Sequence, residues 1–93
     1  MMTLKDACDV LHVDTGNNDD LITSLIVALP GYIEVTTGMK EEDQDEEPLC
    51  QVVSGFLLTQ WYYSDHTDDQ ALTRTIDALL KAITLKVIRL KES

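Results

Sequence analysis

The sequence predicts an all-α fold: a small bundle of about four helices, a single domain over residues 1–93, with a long helix at the C-terminal end. Three observations predict it. Apolar residues recur at steps of three and four along four segments, the period of a helix face. Capping and breaking residues stand between those segments, where helices must start and stop. Period-two alternation and Asn-Gly hairpin turns, the signals of β structure, are missing. A chain of 93 residues buries only about 60–65% of the surface its unfolded form exposes, so its core is modest and self-association would add to it.

The first helix starts at Thr3, whose hydroxyl can cap it while Asp6 lies near the positive end of the helix dipole. Leu4, Cys8 and Leu11 share one face. "VDTGNNDD" ends the segment with turn and N-cap chemistry. The second runs from about Asp19 to Thr37, with Ile22, Leu25, Ile26, Leu29 and Ile33 in phase and Gly38 as the residue that closes it. Pro30 and Gly31 interrupt the pattern. Proline removes a backbone donor and crowds the carbonyl four residues back, so a kink is expected near Ile26, with one helix preferred over two because Ile33 stays in phase with Leu29.

Residues 39–47 read as an acidic linker. Pro48 suits the first position of the third helix, whose expected apolar face is Leu49, Val52, Val53, Phe56, Leu57 and Trp61, with Ser64-Asp65 at its end. "TDDQ" opens the fourth, Thr67 and Gln70 fitting a capping box. Leu72, Ile76, Leu79, Ile83, Val87 and Leu90 form its seam, and Lys86, Arg89 and Lys91 complement the dipole at its end. At 1.5 Å per residue this helix spans roughly 34 Å, the width of a whole domain of this size. Its C-terminal part is apolar beyond one stripe. Leu80, Leu85 and Ile88 lie off the seam and would face water in a monomer, which marks them for contact with a partner, the other reading being a frayed tail with scattered exposed leucines.

The charge is unevenly placed. Residues 1–47 hold twelve acids and two bases, and residues 48–93 five of each, so the whole net charge of −10 resides in the first half. A basic footprint that would wrap phosphates is absent, which argues against sequence-specific nucleic-acid binding. No stretch is expected to approach the roughly 18 apolar residues a membrane span needs, and the opening "MMTLKDACDV" lacks the basic and apolar regions of a signal peptide. A soluble protein that starts in the cytoplasm and binds no membrane is expected. Cys8 and Cys50 sit among apolar neighbours, as buried reduced thiols do, although a disulfide between them is the other reading.

Chemistry is sparse, and no enzyme is expected. His12 and His66 are the only imidazoles, each beside a helix end and without the spaced partners that hydrolases show. Cys8 and His12 stand four apart, but no CxxC or HxxxH spacing completes a zinc site. "DTGNNDDLITSL" has the length of a calcium loop, yet its sixth and twelfth positions are Asp19 and Leu25 instead of glycine and glutamate. No glycine-rich phosphate loop exists, and no cofactor or metal is expected. "QWYYSD" gathers Trp61, Tyr62 and Tyr63. Trp61 is in phase with the core, while Tyr62 and Tyr63 point to other faces and are either amphipathic neighbours of the core or protein-contact anchors.

The order of these signals resembles the head-tail connector (head-completion adaptor) family of tailed bacteriophages, small all-helical proteins often described as DNA-packaging proteins. The resemblance rests on three elements over roughly residues 3–80. They are a short helix closing on Val13-Asp14, a helix closing on Tyr32-Ile33-Glu34 with Thr37-Gly38, and a helix closing on Trp61-Tyr62. Pro30-Gly31 departs from the alanine-rich stretch usual before the tyrosine, and the last helix is more apolar than the family's. The resemblance implies a homo-oligomeric ring, typically of twelve copies, located in the virion at the head-tail junction after assembly in the host cytoplasm. The ring sits beneath the portal protein, extends the DNA channel and meets a tail or head-completion protein.

"EEDQDEE" then has two readings. Glu41, Glu42, Asp43, Asp45, Glu46 and Glu47 either line that channel, where carboxylates repel passing phosphates, or form a flexible loop kept in water by its own repulsion. The alternative function, from another class, is an acidic DNA mimic or small regulatory interaction module, in which these residues with Asp19 and Asp20 stand in for phosphates.

Overall fold

The computed structural model describes residues 2–63 and 70–92. Five helices follow in order: α1 (Leu4–Leu11), α2 (Asp19–Thr37), α3 (Glu41–Gln44), α4 (Pro48–Tyr62) and α5 (Gln70–Glu92). No strand occurs among the described residues, and the fold is the small all-α bundle with a long C-terminal helix that the sequence predicts. The capping box at Thr67 and the turn at Ser64-Asp65 lie outside the described residues.

Local chemistry sets the boundaries. Asp6 N donates to Thr3 Oγ1 at 3.1 Å and Thr3 N to Asp6 Oδ2 at 3.3 Å, a reciprocal capping box that satisfies two of the first turn's free donors. α1 ends on His12 in the left-handed conformation (φ 59°), whose N–H donates to Asp9 O. α2 runs unbroken through Pro30 and ends on Gly38, at φ 85°, whose N–H donates to Glu34 O. That position favours glycine because its left-handed backbone conformation disfavours a side chain; an added Cβ would itself meet Val87 Cγ1 only at an ordinary contact distance of 3.4 Å. Pro48 opens α4 as expected, with Glu47 as cap, its carboxylate accepting from Leu49 N at 3.2 Å.

Packing departs from the expected faces in three places. On α5 the buried residues are Ile76, Leu80, Ile83 and Val87, so Leu80 belongs to the core and Leu90, 67% exposed, does not. On α4, Cys50, Val53, Leu57 and Leu58 are buried while Val52 and Phe56 are exposed. At Leu79–Leu80 on α5, and at Val52–Val53 and Phe56–Leu58 on α4, adjacent residues are apolar and spacing alone cannot say which one faces the neighbour, and α4 packs against α1, α2, α3 and α5 at once. The third departure is the linker, which contains α3 and folds onto the bundle.

α2 and α4 hold the centre. α5 packs on both, and α1 packs on both from elsewhere, without touching α5. The molecule measures 46 × 28 × 18 Å, with a radius of gyration of 13.6 Å. A compact chain of this length has a radius near 12 Å. The short dimension admits about two layers of helices. In so thin a slab every long helix keeps one face outward. α2 shows the consequence most clearly: it buries Ile22, Ile26, Leu29, Ile33 and Thr37 and exposes most of the rest. By length and composition alone it is apolar enough to cross a membrane, with a mean hydropathy of 1.2 over the best window. A search for uninterrupted apolar runs misses this, because Thr23, Ser24 and Pro30 break the run yet lower the average little.

Candidate functional site

The acidic segment is built into the fold by its single uncharged residue. Gln44 is 7% exposed, and its Nε2 donates to Pro30 O at 2.9 Å and to Met39 O at 3.0 Å. Met39 is also buried, with its sulfur 3.6 Å from Cys50 Sγ. At the segment's other end, the Glu47 carboxylate accepts from Lys86 Nζ at 2.9 Å, joining it to α5. Glu34 Oε1 accepts from Glu41 N at 3.1 Å, across the start of α3. Residues 41–47 are therefore a folded segment attached to the bundle at both ends. Glu41, Glu42, Asp43, Asp45 and Glu46 are exposed and anchored by a folded turn, while Glu47 is half-buried and committed to its partners.

Lys86, foremost, holds the Glu47 carboxyl below its ordinary pKa through that hydrogen bond, aided by the Leu49 amide and opposed by partial burial. A folded-state pKa below the unfolded one adds stability that is fully present above the ordinary carboxylate value and is lost as pH falls through the folded one. Urea midpoints followed from neutral to acid pH are expected to fall less steeply for Glu47→Gln than for the unmodified chain. Parallel curves would remove this pair from the acid limb.

The aromatic candidates are spent largely inside the subunit. Tyr63 Oη donates to Leu11 O at 2.7 Å, satisfying a carbonyl that the end of α1 leaves free. Asn18 Nδ2 donates to Tyr62 Oη at 2.7 Å. The two tyrosine rings stack with centroids 4.9 Å apart, and Trp61 meets Tyr32 edge-on at 5.3 Å. Tyr62 and Tyr63 thus fasten the α1–α2 connection to the end of α4, each keeping part of its ring at the surface. Leu80 is buried and leaves the set of candidate contact residues. Leu85 (57% exposed) and Ile88 (46%) stay outside the core on the far side of α5, as the sequence predicts.

The remaining chemistry stays dispersed. Cys8 and Cys50 are free buried thiols. Burial, helped by the nearby Glu47 charge, pushes the Cys50 thiol up to about 11, so it is protonated at neutral pH and a poor nucleophile. Burial raises Cys8 as well, with Asp19, Asp9 and Asp14 adding to it. A cleft of about 350 Å³ lies beside Gln44 and Cys50, lined also by Met2, Asp6 and Pro30. Among the described residues no three His, Cys, Asp or Glu side chains gather to hold a metal. His66 lies outside the described residues. No family model, curated protein or solved structure matches this chain.

Three structural features escaped the sequence reading: Gln44 as an anchor, the Glu47–Lys86 pair, and the exposed outer face of α2. The first carries a signal in plain view, since one neutral amide inside a run of carboxylates is the residue best able to enter the interior. The second joins residues 39 positions apart and has no local signal.

Proposed function

We propose that this chain is a structural subunit of a phage head-tail connector. Copies of it would form a ring beneath the portal protein, extend the DNA channel and join head to tail. The observation that carries the reading is the outward apolar face of α5, with Leu85 and Ile88 exposed on a helix whose opposite face is already buried. An apolar face of this kind in a thin subunit is served by a neighbour. A closed ring supplies one through a heterologous contact, a patch of one copy meeting a different patch of the next. The order of motifs over residues 3–80 adds support, and two of them meet in space through Tyr32 and Trp61. Such a subunit works by shape, closure and charge, without catalysis.

Native mass spectrometry of the chain, alone and with a portal protein, tests this. Cyclic high-order species are expected at least on the portal, and a persistent monomer there would overturn the reading. Replacing Leu85 and Ile88 together by serine is expected to abolish those species while leaving helical content unchanged by circular dichroism. Both residues are exposed in the single chain, so the substitution takes nothing from its core.

The alternative, an acidic mimic of DNA, gains from the carboxylates of α3 being held at fixed positions. It predicts a chain that stays monomeric on the portal and competes with DNA for a DNA-binding protein.

A further inference from the structure

α2 carries a second uncovered face, and its dimensions and charge match those of the α5 face. Opposite the buried row of α2 lie Leu21, Ser24, Ala28, Gly31 and Val35, at helical spacing and all exposed. Val27 (65% exposed) and Tyr32 (41%) flank this row. The Ser24 hydroxyl donates to Asp20 O at 2.9 Å, so its one donor is satisfied within its own helix and the rest of the row is apolar. Nothing stands within 4 Å of where a Cβ on Gly31 would be, leaving a shallow saddle that lets another helix approach closely. An acid closes each end: Asp20 at one and Glu34 at the other, with Glu41 and Glu42 beyond it.

On α5 the row opposite the core is Arg74, Ala78, Lys81, Leu85, Ile88 and Arg89, again all exposed. Between Arg74 and Arg89 the one acid is Asp77, at the edge of the row, against the cations Arg74, Lys81, Lys86 and Arg89. Lys86, whose charge is used by Glu47, points elsewhere. Asp20 and Glu34 stand roughly 21 Å apart along α2, and Arg74 and Arg89 roughly 22 Å apart along α5, at 1.5 Å per residue. The two faces thus agree in length, have apolar centres, and bear charges of opposite sign at matching positions. Within one chain they cannot meet, since α2 and α5 already pack against each other through their inner faces.

We infer that the α5 outer face of one copy docks on the α2 outer face of the next. This rests on the assembly reading above and adds the receiving surface to it. A patch that meets a different patch leaves one of each free, so the contact propagates from copy to copy. The end charges set the register and the apolar rows supply the buried area. The occupant is a second copy of this chain, because the cationic, apolar complement is present on the chain itself.

Directional cross-linking tests it. One chain carries Ala28→Cys and another Leu85→Cys, both exposed positions, with the native thiols buried. The two are mixed under oxidising conditions, free at millimolar concentration and also loaded on a portal protein. The 28–85 product is expected to exceed the 28–28 and 85–85 products. Adding Arg74→Glu and Arg89→Glu to the second chain is expected to cut its yield by about tenfold or more, since like charges then face each other at both ends of the row. Cyclic species on the portal without the 28–85 product, or a yield indifferent to the charge reversal, would overturn this pairing while leaving the connector reading intact. A 28–85 product with no cyclic species on the portal would support the pairing and overturn the connector reading. Absence of both overturns both.

Discussion

Leu57→Ala is expected to destabilise the chain by about 2–5 kcal/mol, the range for removing a large aliphatic side chain from a core that cannot collapse around the void. Leu57 is 1% exposed on α4, the helix that packs against all the others, so no single neighbour can move in to fill the space without leaving another. Alanine is the better helix former, so the loss comes from packing alone. Domains of this size have roughly 5–14 kcal/mol in total, and the substitution removes a large share of it. Urea unfolding should show a lower midpoint with an unchanged slope. Val52→Ala is the paired control. Val52 lies on the same helix and reads as core by spacing, yet it is 47% exposed, and its loss should stay within about 0.5 kcal/mol. Equal effects at the two positions would overturn the assignment of the α4 face.

Gln44→Leu is expected to cost about 1–3 kcal/mol, although it preserves size and raises hydrophobicity. The substitution removes both hydrogen bonds of the amide and strips the Met39 carbonyl of its donor in a buried place. The Pro30 carbonyl loses its link to α3 at the same time. Two readouts separate this from a general loss of packing: the urea midpoint, and the rate of cleavage by a glutamate-specific protease within residues 41–47. Faster cleavage at a urea concentration where α4 and α5 stay folded is the expected result. Asp43→Asn, an exposed change in the same turn, relieves repulsion but keeps both Gln44 hydrogen bonds, and should not speed cleavage. A Gln44→Leu chain indistinguishable from the original would mean that the segment is a free loop after all.

Much of the fold is legible in the sequence because its boundaries are encoded locally. Thr3 with Asp6, Asp19 to Gly38, and Pro48 each carry capping or breaking chemistry that acts over three or four residues. Helix faces are encoded less securely. Leu79 and Leu80 are adjacent and equally apolar, and only the placement of α2 and α4 decides that Leu80 goes inside. Val52 and Leu58 exchange roles on α4 for the same reason. α3 is hidden because six acids in seven residues read as solvated chain, whereas one buried glutamine and two terminal contacts are enough to fold it. The candidate assembly surface is half legible. Leu85 and Ile88 stand out as surplus on a helix that already has a core stripe. The α2 face does not, because serine, alanine and glycine signal nothing until their exposure is known.

Folding of the acidic segment also has a bearing on salt. Carboxylates on a loose tether can drift apart when few counter-ions are present, but those of α3 are pinned to one helical turn and must tolerate one another at short range. Their mutual repulsion is thus carried by the native state, and an ionic atmosphere that shields it favours the folded chain over the unfolded one. In dilute buffer the turn around Gln44 is the place where that tension accumulates.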